Sequence, residues 1–163
     1  MQCEIRVEGL AEIAATFREI GADIRTALPG AAERAMLPVE GLIKEKAPVQ
    51  TGHYRDSWST RAGEDGGDVV ARVGTALLVD SPGDPGSKDM PLGVYLEYGT
   101  GIYAEDGSGR KDAWSYVGSD GEWHTTRGMP AQPHVRPAFD EERDRVGPRL
   151  RDELAKALEE AIR

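Results

Sequence analysis

Cysteine is nearly missing: Cys3 is the only one in the chain. An intrachain disulfide and a cysteine-rich zinc site are therefore excluded, and Cys3 reads as a small apolar residue on a first strand. Aromatic residues are scarce, at 6%, so a core built mostly of Leu, Ile, Val and Ala is expected. His53, His124 and His134 are the only histidines, and no two stand one helical turn apart; packing or solvated histidines are the expectation, not metal ligands. No long hydrophobic run exists. The longest, Ala76-Leu-Leu-Val79, is far too short to cross a bilayer. The start of the chain, from Met1 to Glu8, lacks the apolar block of a signal peptide. A chain used in a cytoplasm, or in a particle assembled there, with no membrane contact, is expected. Basic residues are also in deficit: 20 Lys and Arg against 29 Asp and Glu give a formal net charge of −9. Such a chain repels phosphates, which argues against tight DNA binding but not against surrounding DNA without gripping it.

What is present suits one domain spanning residues 1–163. Cys3, Ile5 and Val7 alternate with polar residues and predict a short strand. Leu10, Ile13, Phe17, Ile20, Ile24 and Leu28 recur every three or four residues and predict an amphipathic helix, stopped or kinked at Pro29-Gly30. A second helical pattern, with Ala35, Met36, Val39, Leu42 and Ile43, runs from about Ala31 to Ala47. Pro38 bends it or lies near its start, and the short connection makes the two helices antiparallel neighbours. The stretch Ala47 to Trp58 then hands a helical half over to a strand-rich half. Pro48 stops the helix, Thr51-Gly52 turns the chain, and Tyr54 to Arg61 reads as a strand. Asp68 to Gly74 is its hairpin partner across Glu64-Asp-Gly-Gly67. A loop follows at Asp80 to Gly86. Leu92, Tyr95 and Leu96 share one face and favour a short helix before Gly99.

Residues 101–132 form an insertion-like polar loop that nevertheless holds Tyr103, Trp114, Tyr116 and Trp123, a candidate interface. Within it, Trp114 to Val117 and Glu122 to Thr126 flank Gly118-Ser-Asp-Gly121, so a hairpin is an equal alternative. Pro137 opens a last helix, with Asp140, Glu141 and Glu142 set against its dipole and Gly147-Pro148 expected to kink or split it. The fold class is α+β: an N-terminal helix pair and a long C-terminal helix on a small, mainly antiparallel sheet, with a long irregular loop.

Chemistry-bearing patterns are weak. Ser57, His53 and Asp56 are close in sequence but lack a nucleophile-elbow context. Gly83 to Lys88 lacks the spacing of a phosphate loop, and Asp106-Gly-Ser-Gly109 lacks the closing Glu of a calcium loop. No cofactor is implied.

Three segments in order carry a resemblance: Ala47-Pro-Val-Gln-Thr-Gly-His-Tyr-Arg-Asp-Ser57, Tyr95-Leu-Glu-Tyr-Gly-Thr100, and Pro133-His-Val-Arg-Pro-Ala-Phe139. The chain resembles the neck or tail-completion proteins of long-tailed bacteriophages, the head–tail joining or minor tail-component family. The motif residues are Pro48, Thr51, Gly52, Arg55, Ser57, Tyr95, Glu97, Tyr98, Gly99, Thr100, Pro133, Pro137 and Ala138. Tyr54 stands where the family usually has an aliphatic residue, and His134 where it has an aromatic one. The resemblance implies a non-enzymatic virion protein. It would work as a ring, commonly a hexamer, between head-closure or connector proteins and tail-terminator or tail-tube proteins, with DNA only as passing cargo. A tail-terminator ring is the nearest alternative; a phage-encoded hydrolase is a distant one. Pro48, Thr51 and Gly52 would shape the helix-to-strand loop, and Gly99 would let the chain turn. Glu97, set among Tyr95, Leu96 and Tyr98, needs a partner, for which Arg55 and Arg136 are the candidates.

Overall fold

Alternation at the N-terminus gives β1 (Gln2–Val7), whose residues are exposed and half-buried in turn. It pairs antiparallel with β3 (Asp68–Thr75), and β3 pairs antiparallel with β2 (Trp58–Asp65), so the sheet order is β1-β3-β2. These elements come from a computed structural model that describes residues 1–8, 24–49, 52–79, 90–117 and 120–162. The predicted helix from Leu10 lies mostly outside the described residues, and Thr51, the Asp80 to Gly86 loop and the Gly83 to Lys88 stretch lie wholly outside them.

Helix α1 (Ile24–Lys46) continues through Pro29-Gly30, where a stop or kink was expected, and through Pro38, so no connection between two antiparallel helices lies there. Each interior proline costs about 3 kcal/mol. The buried stripe continues across both, through Leu28, Ala32, Ala35, Met36, Val39 and Ile43, all fully buried. Burying each large member of such a stripe contributes about 1.5–3 kcal/mol. That is enough to hold the helix together past its prolines. α1 packs on β2 and β3 with one side and on α4 (Val135–Ile162) with another. The small Ala31, Ala32 and Ala35 are wholly buried, and small side chains let neighbouring elements approach closely. Glu40 ties α1 to the sheet. Thr60 donates to its carboxylate at 2.6 Å and Lys44 at 2.6 Å.

The helix ends before Pro48, as its missing N–H requires, and Gly52 turns the chain at a φ of 83°. A correction follows. His53–Asp56 is a helical turn, α2, not the start of a strand; β2 begins only at Trp58. Tyr54 and Trp58 are four residues apart, and both are buried. Helical spacing lets the two rings enter the core together, where strict alternation would also have buried Asp56. As composition led one to expect, the buried hydrophobic residues are mostly Leu, Ile, Val and Ala, although the largest fully buried side chain is Trp58.

Two short pairings complete the described fold. β4 (Leu78–Val79) pairs with β5 (Met90–Pro91), which leads directly into α3 (Leu92–Tyr98), the short helix that was expected. The 101–132 region is partly ordered into a hairpin, β6 (Trp114–Val117) with β7 (Trp123–Thr126). α4 starts at Val135, two residues before Pro137, and passes Gly147-Pro148 unbroken. No described helix is long and apolar enough to cross a membrane.

Candidate functional site

Four backbone N–H groups at the start of any helix have no partner inside it. In α4 their fate can be followed one by one. His134 and Val135 donate to Glu97 Oε2 at 2.8 and 3.0 Å, and Arg136 donates to Glu97 Oε1 at 2.9 Å. Pro137 has no N–H to satisfy, and Ala138 makes the first internal bond, to the His134 carbonyl, at 3.3 Å. One carboxylate from α3 therefore caps the whole opening turn of α4. The acids expected for this task, Asp140, Glu141 and Glu142, lie beyond the first turn, which holds no acidic residue.

Glu97 is fully buried. Burial works against its charge, but the three backbone donors and Arg136 outweigh it and hold the carboxyl below the ordinary 4.5. Of the two predicted partners, Arg136 is the one found. Its Nε donates to Glu97 Oε1 at 3.0 Å, while Arg55 pairs with Asp56 instead. Arg136 also donates to Glu105 at 2.8 Å and lies 4.8 Å from the Tyr98 ring centre. Glu105 first, then Glu97, push its already high pKa further up.

His134 joins this cap to the first motif. Its Nδ1–H donates to the Gln132 carbonyl at 2.9 Å, and in the neutral ring Nε2 accepts the Tyr54 O–H at 2.7 Å. Tyr54, Trp58 and His134 meet edge to face in all three pairs, with centroids 5.4–6.1 Å apart. Burial, with the Glu97 charge adding, pushes the Tyr54 hydroxyl up to about 12. The same two causes push the Cys3 thiol up to about 11, which leaves it unreactive.

The remaining motif residues are brace points. Ser57 donates to the Tyr54 carbonyl at 2.7 Å and shares a 2.6 Å bond with Thr75. The Thr100 N–H donates to the Met129 carbonyl at 2.9 Å, and its hydroxyl accepts the Met129 N–H at 3.0 Å. Gly99, at φ 72°, ends α3, and any side chain there would meet the backbone of Tyr103, Met129 and Ala131. Ala138 is buried; Arg55, Pro133 and Pro137 are not, and Tyr95 and Tyr98 lie near the surface. Among the described residues no group of His, Cys, Asp and Glu could hold a metal.

Sequence reasoning found Glu97 and Arg136 but missed the backbone donors, and it treated His134 as a bystander. The proposed interface aromatics divide. Trp123 is 73% exposed and Tyr103 48%, whereas Trp114 and Tyr116 are half-buried, under Arg110 and against His124. Ile102 and Val117 are exposed too.

Residues 11–107 match a family model described as "Bacteriophage HK97-gp10, putative tail-component". That span is more than half of the chain and contains the first two motifs. The chain belongs to this family. No curated protein and no solved structure matches it significantly. Within the HK97-gp10-like family frame, Glu97 sits inside the matched span and grips the third motif, which lies beyond it. The charge-held junction fixes the start of α4 against α3.

Proposed function

We propose that this chain, acting as one unit over residues 1–163, is a structural virion protein of a long-tailed phage that closes into a hexameric ring at the neck. The ring joins the head connector to the tail and leaves an axial channel for DNA. The observation that carries the virion role is the family match over residues 11–107. Ring building is supported by exposed apolar side chains: Tyr98, Ile102, Tyr103, Val117 and Trp123 fall within residues 98–123, while Leu37, Val49 and Leu78 are exposed elsewhere. Exposed apolar groups are candidates for a partner surface. The net charge of −9 suits a channel through which DNA slides without sticking. Head-closure or connector proteins would contact one side, and tail-terminator or tail-tube proteins the other.

An image reconstruction of the particle tests this directly. Ring density for this chain between head and tail is expected, and a deletion strain should accumulate unjoined heads and tails. Absence of the chain from virions, or a single copy per particle, would overturn the reading.

A further inference from the structure

Two-stranded hairpins standing alone are at best marginally stable in water. The β6–β7 hairpin packs extensively on no other described element. Its far end pairs Val117 with Trp123, both exposed, and its near end pairs Trp114 with Thr126. Trp123 stands three strand steps from Thr126, or about 10 Å. Trp123 is thus held out on an arm and is 73% exposed, the most of any large hydrophobic residue described. Asp120 and Glu122 beside it are exposed, and the Glu122 carboxylate has no cation partner among the described residues.

A groove of about 750 Å³ lies between α3 and the following loop, lined by Val94, Tyr98, Gly101, Ala104 and Gly109 among others. Most of its lining is apolar, and its volume falls in the range of pockets that enclose a ligand. That volume exceeds what an indole ring occupies. The near end of the arm adjoins it: Ile102 donates to the Arg127 carbonyl at 2.9 Å. Arg110 follows Gly109, and neither Arg110 nor Arg127 meets a carboxylate among the described residues. Two acids line the groove: Glu105 is matched by Arg136, and Asp106 accepts from the Ser108 N–H and hydroxyl. Each copy therefore carries an acidic, Trp-tipped arm and an apolar groove flanked by unmatched arginines, and the first is held away from the second.

We propose that the tip of the β6–β7 hairpin, led by Trp123, docks into the α3 groove of a second copy of this chain. The pairing is head-to-tail, the kind of contact that closes rings. It rests on the ring reading above and specifies which surfaces make the ring.

Photo-crosslinking in assembled particles tests it, with a benzophenone-bearing amino acid in place of Trp123. The expected product is a dimer of this chain linked to residues 94–109. Particles that contain the chain but crosslink position 123 elsewhere, to another protein or not at all, overturn the docking and leave the ring reading intact. Particles without the chain overturn the ring reading itself and the docking with it. In parallel, Trp123→Ala should cut the yield of joined particles roughly tenfold or more, as expected of an interface anchor. The urea midpoint of the isolated chain should stay nearly unchanged, because Trp123 is 73% exposed and faces only its own hairpin partner Val117. Glu122→Arg should also cut that yield, and adding Arg110→Glu or Arg127→Glu should restore it. A Trp123→Ala chain with full yield refutes the arm.

Discussion

Replacing Glu97 with Gln keeps the shape of the α3–α4 junction and removes its charge. Glu97 Oε2 accepts from His134 and Val135, and Oε1 accepts from Arg136 N and Nε. An amide can offer an oxygen to only one of these pairs. Its NH2 must face the other, so two donors lose their acceptor whichever way the amide turns. Each buried unsatisfied donor costs about 1–3 kcal/mol, while the Arg136 guanidinium is 45% exposed and keeps Glu105, so the lost charge on its side adds little. A loss of about 2–4 kcal/mol is therefore expected, a large share of the 5–15 kcal/mol or so that stabilises a typical domain. Urea unfolding followed by both circular dichroism and tryptophan fluorescence reads it; coincident curves justify a two-state fit. With a slope of about 2–3 kcal/mol per molar, the midpoint should fall by roughly 1–2 M. A fall of less than about 0.4 M, or under about 1 kcal/mol, would mean that Glu97 does not hold the helix start as described.

The remaining predictions concern the same junction. Because the folded-state pKa of Glu97 is lowered from 4.5, its contribution is present above that value and lost as pH falls through the lowered one. The stability gap between the native chain and Glu97→Gln should thus narrow on acidification below about pH 4.5; urea midpoints taken from pH 7 to pH 3 check this, and a constant gap contradicts it. Tyr54→Phe strands His134 Nε2 without its donor and should cost about 1–3 kcal/mol in the same assay. Gly99→Ala forces a side chain into the backbone of Tyr103 and Met129 at a positive φ and should destabilise by more than about 2 kcal/mol. Gly107→Ala, at φ 70° with open space around it, should cost only about 1 kcal/mol. Equal losses at the two glycines would show that the tight packing around Gly99 is not what matters.

How far the sequence could be read depended on what each feature is made of. α3 and the body of α1 were legible because apolar spacing reports a buried stripe directly. The β6–β7 hairpin was legible as an alternative, because turn-forming residues lie between two aromatic-rich runs. The turn at His53–Asp56 was not, since Tyr54 and Trp58 are types that favour strands while their spacing of four is helical, and tertiary burial decided between the two. Continuation of one helix across Pro29 and of another across Pro148 was equally hidden: local propensity opposes it, and only packing against the rest of the fold overrides it. At the candidate site, the charge of Glu97 announced that it needed a cation, and Arg136 answered. The N–H groups of His134 and Val135 gave no signal, because every residue but proline has one and nothing in a sequence says which will be stranded at a helix start. The role of His134 depended on Tyr54, 80 positions away.

The acceptor for the first turn of α4 comes from 37 to 39 residues upstream. That geometry has a consequence for the order of events as the chain folds. The later turns of α4 can wind from local bonds alone, but its opening turn has nowhere to anchor until the Leu92–Tyr98 segment has arrived. A peptide cut from residues 133–163 should therefore be frayed at its front, and in the growing chain the junction should be among the last parts to set.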